Sequence, residues 1–407
     1  MGYSGLFGLT GYRYIVVAFI ARLPLAMSQL GTLLLVATTT KSYTQAGICA
    51  GALAVCNAVG APWFGSLTDR HGQSRVLMFQ CVAGTIGLLA TVATRYFDLH
   101  WVATAVVAAL TGFVLPQVGQ LARVRWRPII VGRKADDRLV GTAFSYEGAA
   151  DEASFVVGPV LVGAVAAALG TWAPLLAAAV LLGLFGIQFA RHPSSRFAPT
   201  PVGTSKAPLW TAAFTVLVAA QFFIGNLFGS IQTGTTLLTQ LAGHPESSGL
   251  FHALLGIGSV SAGIALGRLT KAPNHPKRLL LFATAMWILS LPLLAVDNLT
   301  LLAAELVILG FAIAPYMITT FTLGELITHR SRTATAMTLL AGATGLGYAT
   351  GAALAGRLVD EGGVAPAFKV TLAATTLAFV LAVGAKRLLS RTTHANGRLR
   401  GHSRELG

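Results

Sequence analysis

Twelve mostly apolar segments, each long enough to cross a membrane, follow one another along the 407-residue chain. A helix needs about 20 such residues to span the hydrocarbon core, where the backbone must satisfy its own hydrogen bonds. Only 11% of the residues are charged, compared with about 25% in a soluble domain. The sequence therefore predicts an all-α integral membrane protein with twelve transmembrane helices, numbered here as predicted spans 1 to 12: 14–37, 43–66, 76–94, 101–122, 140–168, 172–190, 209–238, 247–267, 278–296, 299–324, 334–356 and 365–385.

The basic residues between these segments are distributed unevenly. When the loops are assigned alternately to the two sides, 24 of the 29 Lys and Arg residues fall on one side, including those from Arg123 to Arg138. Four fall on the other side, and Arg22 stays inside predicted span 1. The positive-inside rule places the richer side in the cytoplasm. We therefore expect a multi-pass protein of the plasma (inner) membrane with both termini cytoplasmic. The net charge of +15 belongs to these loops, so no nucleic-acid partner is expected.

The chain divides near its middle. The stretch 192–207 is polar and rich in Pro and Ser, and a short sequence repeat, Gly65-Ser-Leu-Thr68 and Gly267-Arg-Leu-Thr270, ends predicted spans 2 and 8. Equivalent loops in two halves indicate an internal duplication. We expect an N-terminal six-helix bundle over 1–191, a cytoplasmic linker over 192–207 and a C-terminal six-helix bundle over 208–386. A basic cytoplasmic tail over 387–407 is expected to be disordered.

The segment after predicted span 2 carries a recognisable pattern. It reads Gly65-Ser-Leu-Thr-Asp69-Arg70-His-Gly72-Gln-Ser-Arg75. This resembles the loop between the second and third helices of the major facilitator superfamily, whose form is Gly-x-x-x-Asp-Arg-x-Gly-x-x-Arg/Lys. The glycines would permit a tight backbone around Asp69 and Arg70.

The resemblance implies the major facilitator fold, in which two pseudo-symmetric six-helix bundles surround a central cavity and alternate between inward and outward access. In that family the carboxylate equivalent to Asp69 faces the positive N-terminal end of helix 11, which would begin near Thr333 here. Gly65, Asp69, Arg70, Gly72 and Arg75 would then form a conformational latch rather than a substrate site. The alternative is a solvated cytoplasmic turn. A monomer is expected.

Predicted span 5 contains a second pattern, Gly158-Pro159-Val-Leu-Val-Gly163. It resembles the Gly-Pro motif of proton-coupled exporters within the superfamily, although Ala164 stands where the family usually has a further glycine. The proline would bend the helix, and the glycines would let it pack closely against helix 1. The alternative is an ordinary kink with small-residue packing.

Ionisable residues in the predicted spans mark a candidate proton pathway. Glu147, Asp151 and Glu152 lie in predicted span 5, where a carboxylate is costly and usually functional. Arg22 lies at a similar depth in predicted span 1, so we expect it to pair with Asp151 or Glu147. The alternatives are acids solvated at the cytoplasmic helix end and an Arg22 side chain that snorkels to the lipid headgroups. Many proton-coupled members also carry an arginine in helix 4, upstream of a Gln-Gly pair, and the stretch 115–120 has none.

In this architecture, helices 1, 4, 7 and 10 line the cavity. Their amides, together with neighbouring phenylalanines such as Phe222, Phe223 and Phe228, suit a mildly polar, mostly apolar ligand. For each amide, an interhelical hydrogen bond is the alternative. Glu305 in predicted span 10 is a further buried acid. The cavity candidates are Gln29, Gln117, Gln120, Gln221, Asn226, Gln232, Tyr316 and Thr319.

The sequence has no Gly-x4-Gly-Lys-Ser/Thr nucleotide-binding loop, no metal-ligand cluster and no nucleophile–base arrangement. We therefore predict a protein that is not an enzyme and that needs no metal or cofactor. The favoured function is proton-coupled export of small amphiphilic molecules, with protons, substrate and the lipid bilayer as partners. The alternatives are a proton-coupled importer of the same fold, or a channel or transport-inactive membrane scaffold.

Overall fold

The computed structural model describes residues 3–97, 99–197, 208–244, 247–268, 274–362 and 364–405. Throughout these ranges the regular elements are helical. The sixteen α-helices are α1 (Tyr3–Thr10), α2 (Tyr12–Ile20), α3 (Leu23–Thr40), α4 (Tyr43–His71), α5 (Gln73–Tyr96), α6 (Trp101–Val114), α7 (Val118–Gly132), α8 (Arg138–Leu169), α9 (Ala173–Leu181), α10 (Ile187–Arg191), α11 (Ala212–Leu241), α12 (Ser248–Arg268), α13 (His275–Ser290), α14 (Leu299–Ile327), α15 (Thr333–Gly362) and α16 (Val364–Glu405).

Short helical turns of other types connect some of these helices. A π-helical turn, Leu182–Gly186, joins α9 to α10 within one span, and the 3-10 turns Pro193–Phe197, Pro292–Ala295 and Arg330–Arg332 follow α10, α13 and α14. The linker predicted over 192–207 therefore begins with a 3-10 turn, and its remainder, 198–207, lies outside the described residues.

The chain forms two compact units. The first consists of Met1–Ala143, Ala150–Ser205 and Met337–Gly342, and the second of Phe144–Ala149, Lys206–Ala336 and Ala343–Gly407. Each half of the sequence thus builds most of one unit. A six-residue piece of α8 and a six-residue piece of α15 group with the other half's unit.

Eleven helical segments of the described chain are long and apolar enough to cross a membrane. They coincide with predicted spans 1 to 10 and 12. The eleventh predicted span corresponds to α15, which is 30 residues long but is not among the eleven. The multi-pass character of the protein is therefore confirmed, whereas the exact number of spans stays a prediction.

Several predicted boundaries are wrong. Predicted span 1 is broken at Ala21–Arg22, between α2 and α3, and predicted span 4 is broken at 115–117, between α6 and α7. The second part of span 4 ends at Gly132 instead of residue 122. The tail, expected to be disordered, continues as helix α16 as far as Glu405.

Glycines bring pairs of helices into backbone contact within each unit. A Cβ atom added at Gly60 of α4 would collide with the carbonyl oxygen of Phe113, and one added at Gly112 of α6 would collide with that of Leu53. In the second unit, Gly258 of α12 lies in the same way against Val307, and Gly310 of α14 against Leu255. Small residues at such crossings are typical of helix packing in membranes, where van der Waals contact replaces the hydrophobic effect between helices.

Candidate functional site

The break in predicted span 1 places Arg22 in the interior of the first unit. Pro24 lies in the first turn of α3, and because proline has no N–H, it cannot continue the hydrogen-bond ladder of α2. Arg22 caps α3 without a side-chain capping bond. The residue is 4% exposed, so its side chain does not reach the surface by snorkelling.

The break in predicted span 4 has the same origin. Leu115 precedes Pro116, which disfavours helical geometry, and Leu115 is extended, with ψ at 127°. The carbonyl groups released by the break are satisfied by Asn57 of α4, whose Nδ2 donates to the oxygens of Gly112 at 2.9 Å and Leu115 at 3.0 Å. Gln117 then donates to Asn57 Oδ1 at 2.8 Å. Asn57 was missed by the sequence analysis.

Asp151 of α8 lies between two buried arginines. Its Oδ1 is 3.2 Å from Arg22 Nε, and its Oδ2 is 2.6 Å from Arg123 Nη1. The same Arg123 nitrogen donates to Gln120 Oε1 at 2.8 Å. Three elements therefore converge on one carboxylate: the α2–α3 junction, α7 and α8. We call Arg22, Gln120, Arg123 and Asp151 the Asp151 cluster.

Arg123 corrects the sequence analysis in two ways. It was assigned to a solvated cytoplasmic loop, but α7 continues past it and the residue is buried. α7 thus carries a buried arginine four residues after Gly119, on the opposite side of this stretch from the family's helix 4 arginine. A buried cation is normally paired, and Asp151 is its partner here.

The absence of a side chain at Gly119 leaves space for the Asp151 carboxylate. A Cβ atom at this position would overlap with Asp151 Oδ1. Asp151 keeps some access, because its side chain is 17% exposed whereas those of Arg22 and Arg123 are 3% and 1% exposed. The carboxylate is thus partly accessible while the two guanidinium groups remain enclosed.

The other acids of α8 are placed differently. Glu147 is completely buried, so it is not solvated at the helix end. Glu152 is half-buried and near enough for its charge to act on Arg123. In the second unit, Glu305 of α14 is 9% exposed, and within the described part of the chain its Oε1 has no hydrogen-bond partner.

A second buried arginine lies two residues further along α7. Arg125 is completely buried and donates from Nη1 to the Phe189 carbonyl at 2.9 Å and to Ser194 Oγ at 2.8 Å. Its Nε donates to Gln73 Oε1, and its guanidinium carbon lies 3.8 Å from the centre of the Phe189 ring. Arg125, also assigned to a loop by the sequence analysis, therefore fastens α5, α10 and the first turn of the linker together.

His192 completes this junction outside the spans. Its Nδ1 accepts from the Ser194 backbone N–H at 3.2 Å, and its ring lies 5.3 Å from that of Tyr14. Burial lowers the pKa of His192, and the positive charges of Arg125 and Arg13 lower it further. The ring therefore stays neutral at pH values where a free histidine would begin to protonate.

The expected latch segment is more helical than the sequence suggested. α4 continues through Gly65, Asp69 and Arg70 to His71, and α5 starts at Gln73. The turn is thus made at Gly72 alone, whose φ of 88° favours glycine. Arg70 and Arg75 are exposed and Asp69 is half-buried. The latch itself stays a prediction.

The two glycines of the α8 motif differ. A Cβ atom at Gly158 would lie 2.7 Å from that of Ala26 in α3, so α8 and α3 approach closely there. Around Gly163 there is open space, so close packing against a neighbouring helix does not explain the glycine at this position. Pro159 lies inside a helix that runs continuously from Arg138 to Leu169.

Most of the cavity candidates bond within the protein. Gln221 and Tyr316 are completely buried, with Gln221 Oε1 accepting from Thr344 at 2.9 Å and the Tyr316 hydroxyl donating to the Ala220 carbonyl at 3.3 Å. Thr319 is also buried and donates to the carbonyl of Pro315, one turn earlier. Asn226 Nδ2 donates to the Phe222 carbonyl at 3.1 Å.

Three of the cavity candidates are not buried. Gln29 is exposed, and Gln117 and Gln232 are half-buried. Within the described chain, no group of three or more His, Cys, Asp or Glu side chains is arranged to hold a metal ion.

Apolar helices of membrane-spanning length that enclose charged side chains define a multi-pass membrane protein. Comparison with known proteins gives the family. Residues 14–323 match the model of the Major Facilitator Superfamily, so the chain belongs to this superfamily and is a transporter rather than an enzyme. No curated protein matches the sequence.

Solved structures share the fold at low sequence identity. The human organic anion transporter MFSD10 (TETRAN) is 17% identical, with 91% of this chain and 99% of that chain covered at a TM-score of 0.66. A bacterial homologue of the iron transporter ferroportin, in an outward-facing state, is 14% identical, with 92% and 98% covered at 0.75. The proton:xylose symporter XylE, bound to 6-bromo-6-deoxy-D-glucose, is 11% identical, with 93% and 95% covered at 0.72. These similarities establish the fold.

Proposed function

We propose that the protein is a secondary active transporter that couples inward proton flow to the export of small amphiphilic molecules by alternating access. The observation that carries the proposal is the Asp151 cluster, a partly accessible carboxylate held between two enclosed arginines. A carboxylate inside a membrane bundle usually marks an ion or substrate pathway.

The proposed coupling step follows from the charges in the cluster. With Asp151 ionised, its negative charge offsets part of the positive charge of Arg22 and Arg123. A proton on Asp151 removes that compensation, and a buried charge without its partner costs roughly 3–5 kcal/mol. Protonation would therefore loosen the contact of α8 with Arg22 at the α2–α3 junction and with Arg123 of α7, and deprotonation would restore it.

The direction of transport and the substrate class rest on other features. The contact of Gly158 with Ala26 supports the exporter motif's role in packing helix 5 against helix 1. Half-buried Phe222, Phe223 and Phe228 lie with Gln232 on α11. A helix that offers phenyl rings and few polar groups suits an amphiphilic ligand. We place the termini and the latch segment in the cytoplasm of a plasma-membrane protein.

Vesicle transport tests the proposal. Inside-out vesicles with an acidic interior should accumulate the exported compounds from a panel of drugs, sugars and amino acids. Asp151→Asn should abolish this proton-driven accumulation while substrate exchange at equal pH on both sides continues. The control is Asp136→Asn, which changes an exposed acid before α8 and should leave accumulation unchanged.

Two results would contradict the proposal. Full proton-driven accumulation by Asp151→Asn would remove the Asp151 cluster from the coupling step. Accumulation in right-side-out vesicles with an acidic exterior would instead identify an importer.

A further inference from the structure

A groove on the first unit has aromatic walls and a basic end. It lies between α4, α5 and α6 and encloses about 460 Å³, within the roughly 300–1,000 Å³ of typical small-molecule sites. Four aromatic side chains form its walls: Trp63, Phe64, Phe79 and Phe113. His71 and Arg75 stand at one end.

The aromatic walls form one connected cluster. The Trp63 and Phe64 rings lie 4.8 Å apart, and Phe113 lies 5.5 Å from Trp63 and 5.7 Å from Phe64. Phe64 is 4% exposed and makes the floor, whereas Trp63 and Phe79 are 52% and 58% exposed and flank the opening. Because these residues lie on membrane-spanning helices, the medium outside the opening is lipid.

The groove follows from the break in predicted span 4. Up to Gly112, α4 and α6 are in backbone contact through Gly60 and Gly112. α6 ends two residues later, at Val114, and the chain turns away at Leu115 and Pro116. The space that α6 would have filled beside the end of α4 is therefore left open.

The cationic end lies where a headgroup would be. His71 follows Trp63 by eight positions along α4, a rise of about 12 Å. His71 and Arg75 are both exposed, at the end of α4 and in the first turn of α5. Arginine is suited to a phosphate group because its guanidinium offers several N–H donors in a planar array.

We propose that this groove binds one anionic phospholipid, with an acyl chain along the aromatic walls and the phosphate at Arg75 and His71. Charge complementarity favours this occupant over a zwitterionic lipid, because each basic residue near the headgroups attracts anionic lipid by about 1 kcal/mol. None of the lining residues belongs to the Asp151 cluster, whereas Arg75 is shared with the expected latch.

Quenching of Trp63 fluorescence by brominated lipids tests the site. The protein is placed in phosphatidylcholine nanodiscs that contain increasing amounts of brominated phosphatidylglycerol or brominated phosphatidylcholine. Because the chain has six tryptophans, the same titrations on Trp63→Phe are subtracted to isolate the Trp63 signal. We expect phosphatidylglycerol to associate about fivefold more strongly than phosphatidylcholine at Trp63.

A pair of arginine variants on one helix decides the assignment. Arg75→Gln should reduce the preference for phosphatidylglycerol to nearly one, whereas Arg95→Gln, which removes an equal charge from the other end of α5, should retain it. Equal quenching by the two lipids in the unmodified protein would overturn the proposal. So would an undiminished preference in Arg75→Gln.

Discussion

Gly119 is the residue whose replacement most directly tests the geometry of the Asp151 cluster. A methyl group there would occupy the position of Asp151 Oδ1. We expect Gly119→Ala to displace the carboxylate, to destabilise the protein by about 1–3 kcal/mol and to lower proton-driven transport. The melting temperature in detergent and transport in vesicles are the two measurements.

A matched variant and a double mutant make this prediction specific. Gly141→Ala changes a glycine of α8 that has open space around it, and it should be neutral or slightly stabilising because alanine favours the helix. In an Asp151→Ala background the clash disappears, so Gly119→Ala should cost much less there. Additive effects of the two substitutions would contradict a direct contact.

The buried arginines show which side-chain contacts can be predicted from the sequence and which cannot. Asp151 was one of two partners expected for Arg22, because both residues lie at similar depth in predicted spans 1 and 5, and the structure joins them. Arg123 and Arg125 were instead taken for loop cations. Their hydrogen-bond acceptors are distant in sequence. Arg123 donates to Asp151, and Arg125 donates to Gln73, Phe189 and Ser194. Nothing local distinguishes such residues from solvated ones.

At the scale of helices, the two units repeat one packing device. Gly60 and Gly112 lie 52 residues apart and join α4 to α6, and Gly258 and Gly310 lie 52 residues apart and join α12 to α14. Each pair allows two backbones to touch at one crossing. The equal spacing is a further similarity between the halves, and the structure was needed to select these four among the chain's 45 glycines.

These crossings should be sensitive to a single methyl group. We expect Gly112→Ala and Gly310→Ala each to destabilise the protein by about 1–3 kcal/mol, since the obstructing atoms are backbone carbonyls that cannot rotate away. Melting temperatures in detergent should fall by roughly 2–10 °C. Gly51→Ala is the control, because this glycine of α4 faces open space. Equal melting temperatures for all three variants would refute the role of the crossings.

The predicted bounds of spans 1 and 4 were wrong because charged residues and prolines were interpreted from the neighbouring sequence alone. Predicted span 4 was ended at residue 122 because arginines follow, yet buried acceptors allow α7 to continue to Gly132. Pro24 and Pro116 are the visible signals for the breaks in spans 1 and 4, since each removes a backbone donor. Predicted spans 1 to 10 and 12 were located correctly, because the length and composition of such segments are set by the lipid rather than by distant partners.

At the scale of the whole molecule, α15 decides the number of spans. It is rich in Gly, Ala and Thr, and it packs against α11 through backbone contacts of Gly347 with Phe222 and of Gly351 with Asn226. A helix held in this way needs few large apolar side chains, which explains why it is less apolar than the eleven membrane-spanning segments. With 30 residues it is about 45 Å long, enough to cross a hydrocarbon core of about 30 Å.

If α15 crosses the membrane, the positions on either side of it must face opposite compartments. In a background without the three native cysteines, we expect Arg330→Cys to be protected from an impermeant maleimide added outside the cell, and Lys369→Cys to react. Asp136→Cys and Lys41→Cys serve as cytoplasmic and external references, and all four positions are exposed. Matching reactivity at 330 and 369 would leave eleven spans and place the two termini on opposite sides. The positive-inside distribution of the loops would then require another explanation.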